Sequence, residues 1–201
     1  MPLSVAIYIF DDAEVLDFAG PYEVFTTASR VSAKQNPGVP PPFRVCTVAR
    51  ERGLIRARAG LVVSPDFAFT DSPPVDLLII PGGVVTAELA IPAVSDWIRS
   101  TAATATLTAS VCTGAFLLAQ AGLLDGRCAT THWEDVAEMR EMFPTVTVLD
   151  DRRWVDEGAI VTSAGISAGL DMSLHLISRL VDHDLALRTA RQVDYAWNEE
   201  A

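Results

Sequence analysis

The chain has 201 residues, half of them hydrophobic, and sets 15 Lys and Arg against 26 Asp and Glu for a formal charge of −11. That length suits one domain, 1–201, with a sizeable core, and no apolar run reaches the length of a membrane span. The acidic balance argues against this domain alone holding DNA or RNA, whose phosphates need a basic surface.

Ser4 to Phe10 (SVAIYIF) reads as a buried strand with no basic leader before it. DDAEVLDFAGPYEVFTTASRVSAK follows, with Pro21 placed near a helix start and Val24, Phe25 and Ala28 on one face of that helix. QNPGVPPP is a surface loop, FRVCTVAR the next strand, and Leu54 to Ser64 a short hairpin around Ala59-Gly60. VDLLIIPGG is an apolar strand closed by a glycine pair. Helix is expected from about Thr86 to Ala103, divided at Ile91-Pro92. Beyond the central stretch come a short strand over Gly126–Thr131, a helix around Glu134–Phe143, and strands near Val146–Leu149, Arg153–Val155 and AIVTSAG. Ala168–Val181 and Asp184–Val193 are the last helices. Strands alternating with helices predict a mostly parallel sheet covered on both faces, with ligands beyond the carboxyl ends of the strands.

The central stretch is ATLTASVCTGAFLLAQAG. Thr104 to Val111 suits a buried strand, and Ala115 to Ala121 a helix stopped by Gly122. Cys112 lies between them on a sharp strand-to-helix turn, with Ser110 and Gly114 as the small neighbours such a nucleophile elbow needs. The first N–H groups of the following helix favour a thiolate there. Thr113 can offer its N–H as an oxyanion donor and its hydroxyl as a second contact. Gly82 and Gly83 end an apolar strand and are expected to present free backbone N–H groups to a ligand.

Asp17 lies seven residues past the first strand, at the approach to the first helix. If it faces the thiol, carboxyl and thiolate cannot both carry charge comfortably, so one of them holds a proton. Asp11, Asp12 and Glu14 are weaker rivals, read as solvated loop charges. His132 ends a strand and fits either a base for Cys112 or a hydrogen-bonded strand-end histidine. His175 and His183 read as structural, and Cys46 and Cys128 as strand packing. An odd count of three cysteines, with neither C-x-x-C nor zinc spacing, predicts reduced thiols in the cytoplasm and no metal or cofactor.

VLDFAGPYEVF, DLLIIPGG, SVCTGAFLLAQAGLLDGRCATTHW and VTSAGISAGLDMSLHLI together resemble the ThiJ/PfpI superfamily, relatives of the class I glutamine amidotransferases. Within it the sequence looks most like isonitrile hydratases and the amidase-like sensor domains of AraC-type regulators. The resemblance implies a flavodoxin-like α/β three-layer sandwich with a cysteine elbow, and a homodimer. It also implies Cys112 as nucleophile, Asp17 as acid/base, and the backbone at Gly82, Gly83 and Thr113 as anion donors. Many relatives have histidine after the cysteine and an N-terminal glutamate as its partner. Thr113 and Asp17 depart from that pattern, towards the hydratase-like branch and away from peptidase or deglycase chemistry.

The leading expectation is therefore a cofactor-free hydratase, a lyase acting on a small isocyanide or related electrophile. One alternative is the ligand-sensing domain of a transcription regulator, which needs a basic helix-turn-helix region. Whether the reading frame continues past Ala201 separates the two. A thiol-based stress or redox protein is the other alternative.

Overall fold

The computed structural model describes residues 1–200. Its elements are β1 (Leu3–Tyr8), α1 (Val15–Gln35), β2 (Phe43–Ala49), β3 (Ile55–Arg56), β4 (Val62–Val63), β5 (Phe67–Ala68), β6 (Leu77–Ile80), α2 (Thr86–Leu89) and α3 (Pro92–Ala102). Then come β7 (Leu107–Val111), α4 (Gly114–Gln120), β8 (Cys128–Ala129), α5 (Val136–Met142), β9 (Thr147–Val148), β10 (Trp154–Asp156), β11 (Ile160–Ser163), α6 (Ala168–Leu180) and α7 (His183–Gln192).

The main sheet has seven strands in the order β10-β11-β7-β6-β1-β2-β5. Every pairing in it is parallel except β10 with β11, which closes one edge. The run β2-β1-β6-β7-β11 is the doubly wound, flavodoxin-like order, in which the chain reverses direction across the sheet between β1 and β6. Residues Leu77–Ile80 and Leu107–Val111 are fully buried, as strands covered on both faces must be. Helices α1, α6 and α7 pack together, and α2, α3 and α4 form a second group. The core includes Tyr8, Phe10, Phe25, Ile79, Ile98 and Leu117.

Helix α4 ends as its glycine predicts. Gly122 has φ 75°, and N–H bonds from Gly122 to the Ala119 carbonyl and from Leu123 to the Leu118 carbonyl form a Schellman closure. Three local expectations need correction. Pro21 is inside α1, seventh from its start, where it cannot donate to the carbonyl of Asp17. Asp17 is accordingly in the helix's first turn rather than ahead of it. Strand β7 begins at Leu107, because the Thr106 and Leu107 N–H groups both turn to the Asp76 carbonyl.

Candidate active site

Three chain reversals at the carboxyl ends of β1, β6 and β7 meet at the point where strand order reverses. The turn between β1 and α1 is zipped to the segment after β6: Glu14 N–H donates to the Gly82 carbonyl (2.9 Å) and Val84 N–H to the Asp12 carbonyl (3.1 Å). Gly83, at φ 129°, permits this approach, since a Cβ there would overlap the Asp12 carbonyl. Gly114 does the same for the elbow, because a Cβ on it would strike the Ile80 carbonyl.

Cys112 itself has φ 56°, a left-handed conformation that costs a non-glycine residue about 1–2 kcal/mol. The strain is held from several sides. Cys112 N–H donates to the carbonyls of Ser163 (3.1 Å) and Ala164 (3.2 Å), and Thr131 Oγ1 donates to the Cys112 carbonyl (3.0 Å). A strained residue pinned in this way points to function.

Asp17, fully buried in the first turn of α1, meets the same turn. Its Oδ2 accepts from Gly82 N–H at 3.0 Å, its buried Oδ1 has no hydrogen-bond partner, and the carboxyl lies close enough to the Cys112 thiol for each to shift the other's titration. Burial lifts the carboxyl to about 7, against the pull of the Gly82 N–H and with a smaller push from Glu14. The Cys112 thiol is also raised, to about 12, first by burial and then by the Asp17 charge. The backbone N–H groups of Thr113 and Ile166 oppose this rise without reversing it. Against the expectation of a thiol favoured as thiolate, desolvation and the carboxylate outweigh the N–H groups of Thr113 and Ile166. Near neutral pH the pair holds one or two protons, and when it holds one, that proton sits on sulfur.

Gly82 and Gly83 do not present free N–H groups. Gly82 donates to Asp17, and Gly83 donates to Thr113 Oγ1 at 2.9 Å while its carbonyl accepts from the same hydroxyl at 2.9 Å. Their work is to fix Asp17 and the elbow, and the Thr113 hydroxyl is engaged in the same lock. His132 shares the pocket, but its Nδ1 accepts from Glu134 N–H (3.3 Å) and lies 3.3 Å from Asp135 Oδ2. Among the described residues no hydrogen bond joins His132 to Cys112. Its ring fits against Gly165, where a Cβ would overlap it.

The pocket over Cys112 has a volume of about 300 Å³. Val85, Leu89, Phe116 and Ile166 give it apolar walls, and Glu14 and Arg58, also on its lining, pair at 3.2 Å. No sequence motif pointed to Arg58 or Ile166, which reach the site only through tertiary folding. Glu14, read as a solvated charge, lines the pocket. Among the described residues no group of three or more His, Cys, Asp or Glu side chains forms a metal site, and no helix is long and apolar enough to cross a membrane.

Residues 3–179 match the DJ-1/PfpI family. Isonitrile hydratase of Pseudomonas putida is 33% identical over 98% of this chain and 80% of its own length. The HTH-type transcriptional regulator GbdR of Pseudomonas aeruginosa is 29% identical over 96% of this chain, which spans 51% of that regulator. Among solved structures, a ThiJ/PfpI family protein from Pseudomonas syringae superposes with a TM-score of 0.85 at 25% identity, covering 98% of this chain and 77% of that one. Drosophila melanogaster DJ-1beta shares the fold, with a TM-score of 0.80 at 20% identity over 98% of this chain and 100% of its own.

Proposed function

Because this chain belongs to the DJ-1/PfpI family, we propose that it is a cysteine-dependent hydratase of small electrophiles, an isocyanide first among them. The observation that carries the reading is the electrostatically coupled Cys112–Asp17 pair, with Cys112 on the lining of a pocket of about 300 Å³ and Asp17 fully buried.

The chemistry uses one mobile proton. Asp17 takes the thiol proton as the Cys112 sulfur bonds to the terminal isocyanide carbon, and Asp17 then delivers that proton to the same carbon. The product of this step is a thioimidate, S–CH=N–R. Water adds to the carbon, the C–S bond breaks, the thiol recovers its proton, and an N-substituted formamide leaves. The Thr113 and Ile166 N–H groups stabilise charge on sulfur while the bond forms. A carboxyl raised to about 7 is suited to both halves of this transfer, since it gains and loses a proton readily at neutral pH.

Purified protein incubated with a simple aryl isocyanide tests the reading. Formation of the corresponding formamide, lost in Cys112→Ala, supports it; no formamide above the uncatalysed rate overturns it.

A second reading rests on the regulator relatives, of which this chain spans about half. As a sensor the pocket would bind a small ligand without turning it over. Calorimetric binding to Cys112→Ala and wild type alike, with no product formed, would favour that role. In either role a two-fold homodimer is the expected assembly, the commonest closed arrangement. Exposed apolar side chains on α1 (Leu16, Tyr22) and around the β3–β4 hairpin (Leu61, Val62) supply surface for it.

A further inference from the structure

The pocket over Cys112 carries a charge pattern that the proton transfer at its floor does not use. Glu14 precedes α1, and Glu134, Asp135 and Glu138 lie on the turn after His132 and the α5 helix that continues it, so two separate segments place carboxylates on one cavity. The one arginine or lysine among the lining residues is Arg58, and it is paired with Glu14. Glu134 and Asp135 face only His132, at 3.8 and 3.3 Å, and among the described residues no arginine or lysine pairs with Glu134, Asp135 or Glu138. Leaving His132 out of the count, four carboxylates against one guanidinium put the lining at −3. The molecule's overall charge of −11 adds to this field rather than opposing it.

We propose that this acidic lining selects substrates by charge: the site takes small electrophiles that are neutral or carry a cationic substituent, and turns away those bearing a carboxylate or sulfonate. The proposal rests on the reading that Cys112 attacks a small electrophile, and it names that electrophile's class. A cleft lined by one sign of charge and walled by apolar groups such as Val85, Leu89 and Phe116 focuses the field at its floor. Charge-focused clefts change encounter rates by roughly 10–10³-fold, and the effect fades as salt shortens the screening length.

Charged methanethiosulfonates test this without requiring any turnover. In each labelling the thiolate attacks the reagent's sulfenyl sulfur, a disulfide forms and methanesulfinate leaves, so only the reagent's substituent differs. The trimethylammonium-ethyl and sulfonato-ethyl reagents are compared on Cys112, with labelling located by peptide mass spectrometry and each rate divided by that for a small free thiol. The normalised preference for the cationic reagent should be about tenfold or more at low salt, the lower end of what charged clefts achieve. It should shrink in 0.5 M salt and again in Glu138→Gln and Glu134→Gln. One unit charge about 8 Å from a reacting atom in a water-like medium is worth roughly a twofold change in rate. Equal normalised rates, a preference for the sulfonate, or a preference indifferent to salt and to both substitutions would overturn the proposal. The isocyanide assay reads out separately: a cation preference with no formamide leaves the charge selection standing and removes the hydratase.

Discussion

Asp17 sits where two electrostatic effects oppose each other. As the third residue of α1 it is favoured as an anion by the helix dipole, by about 0.3–1 kcal/mol at an exposed site. Burial costs the anion more, and the carboxyl moves up to about 7. Between an unfolded value near 3.8 and this folded value, the native state holds a proton that the unfolded state has released. Asp17 therefore contributes stability that is fully present below about pH 4 and is lost as pH rises through 7, on the order of 4 kcal/mol over the whole window. Asp17→Asn removes this dependence, so urea unfolding should show its stability gaining on wild type between pH 4 and 8. A constant difference across that range contradicts the burial argument. The same substitution takes an anion away from the thiol, so stoichiometric alkylation of Cys112 by iodoacetamide at pH 8.5 should become severalfold faster. Slower alkylation would mean that the Asp17 charge adds nothing to what burial does to the thiol.

At the scale of elements, the elbow depends on backbone approaches that a methyl group would block. Gly114→Ala drives a Cβ into the Ile80 carbonyl, a collision with main chain that costs about 1–3 kcal/mol, as overpacking usually does. Gly122→Ala meets no backbone and only adopts an unfavourable φ, which costs about 1 kcal/mol. Thermal unfolding should rank Gly114→Ala below Gly122→Ala, with the opposite order refuting the packing account. These positions also mark what the sequence could disclose. Strands β6 and β7, the elbow between β7 and α4, and the closing glycine were legible because each is written in contiguous residues: apolar runs, a small-Cys-small turn, a helix stop. The direction of the Gly82 and Gly83 N–H groups was not, because it depends on Asp17 and Thr113, remote in sequence and bonded only after folding. Arg58 and Ile166 were invisible for the same reason. Pro21 misled because a proline favours a helix start locally, whereas buried Asp17, Phe18 and Gly20 extend α1 back past it.

At the scale of the whole molecule, the alternation of strands and helices was enough for a mostly parallel sheet covered on both faces, whereas the flavodoxin-like order came from the family resemblance. Assembly was less legible. Of the four tryptophans, Trp154 is buried, Trp97 and Trp197 pack against the core, and Trp133 alone is largely exposed, at 74%. Light scattering at micromolar concentration should nonetheless give twice the 21.6 kDa chain mass, through the apolar side chains of α1 and the β3–β4 hairpin. A single-chain mass would remove the dimer. Turnover is the property that needs every part in place, and the central claim is that Cys112 and Asp17 share one working proton. The pH dependence of kcat/KM for an aryl isocyanide, in wild type and Asp17→Asn, tests that claim most directly. Wild-type kcat/KM should rise through an apparent pKa of about 7 as the pair loses the first of its two protons, then stay level into the alkaline range. Asp17→Asn should lose that step and fall by about 10²–10⁴ at neutral pH, the usual worth of general acid–base assistance. A substituted enzyme with wild-type kcat/KM and an unchanged profile would contradict the mechanism, even with Cys112 essential.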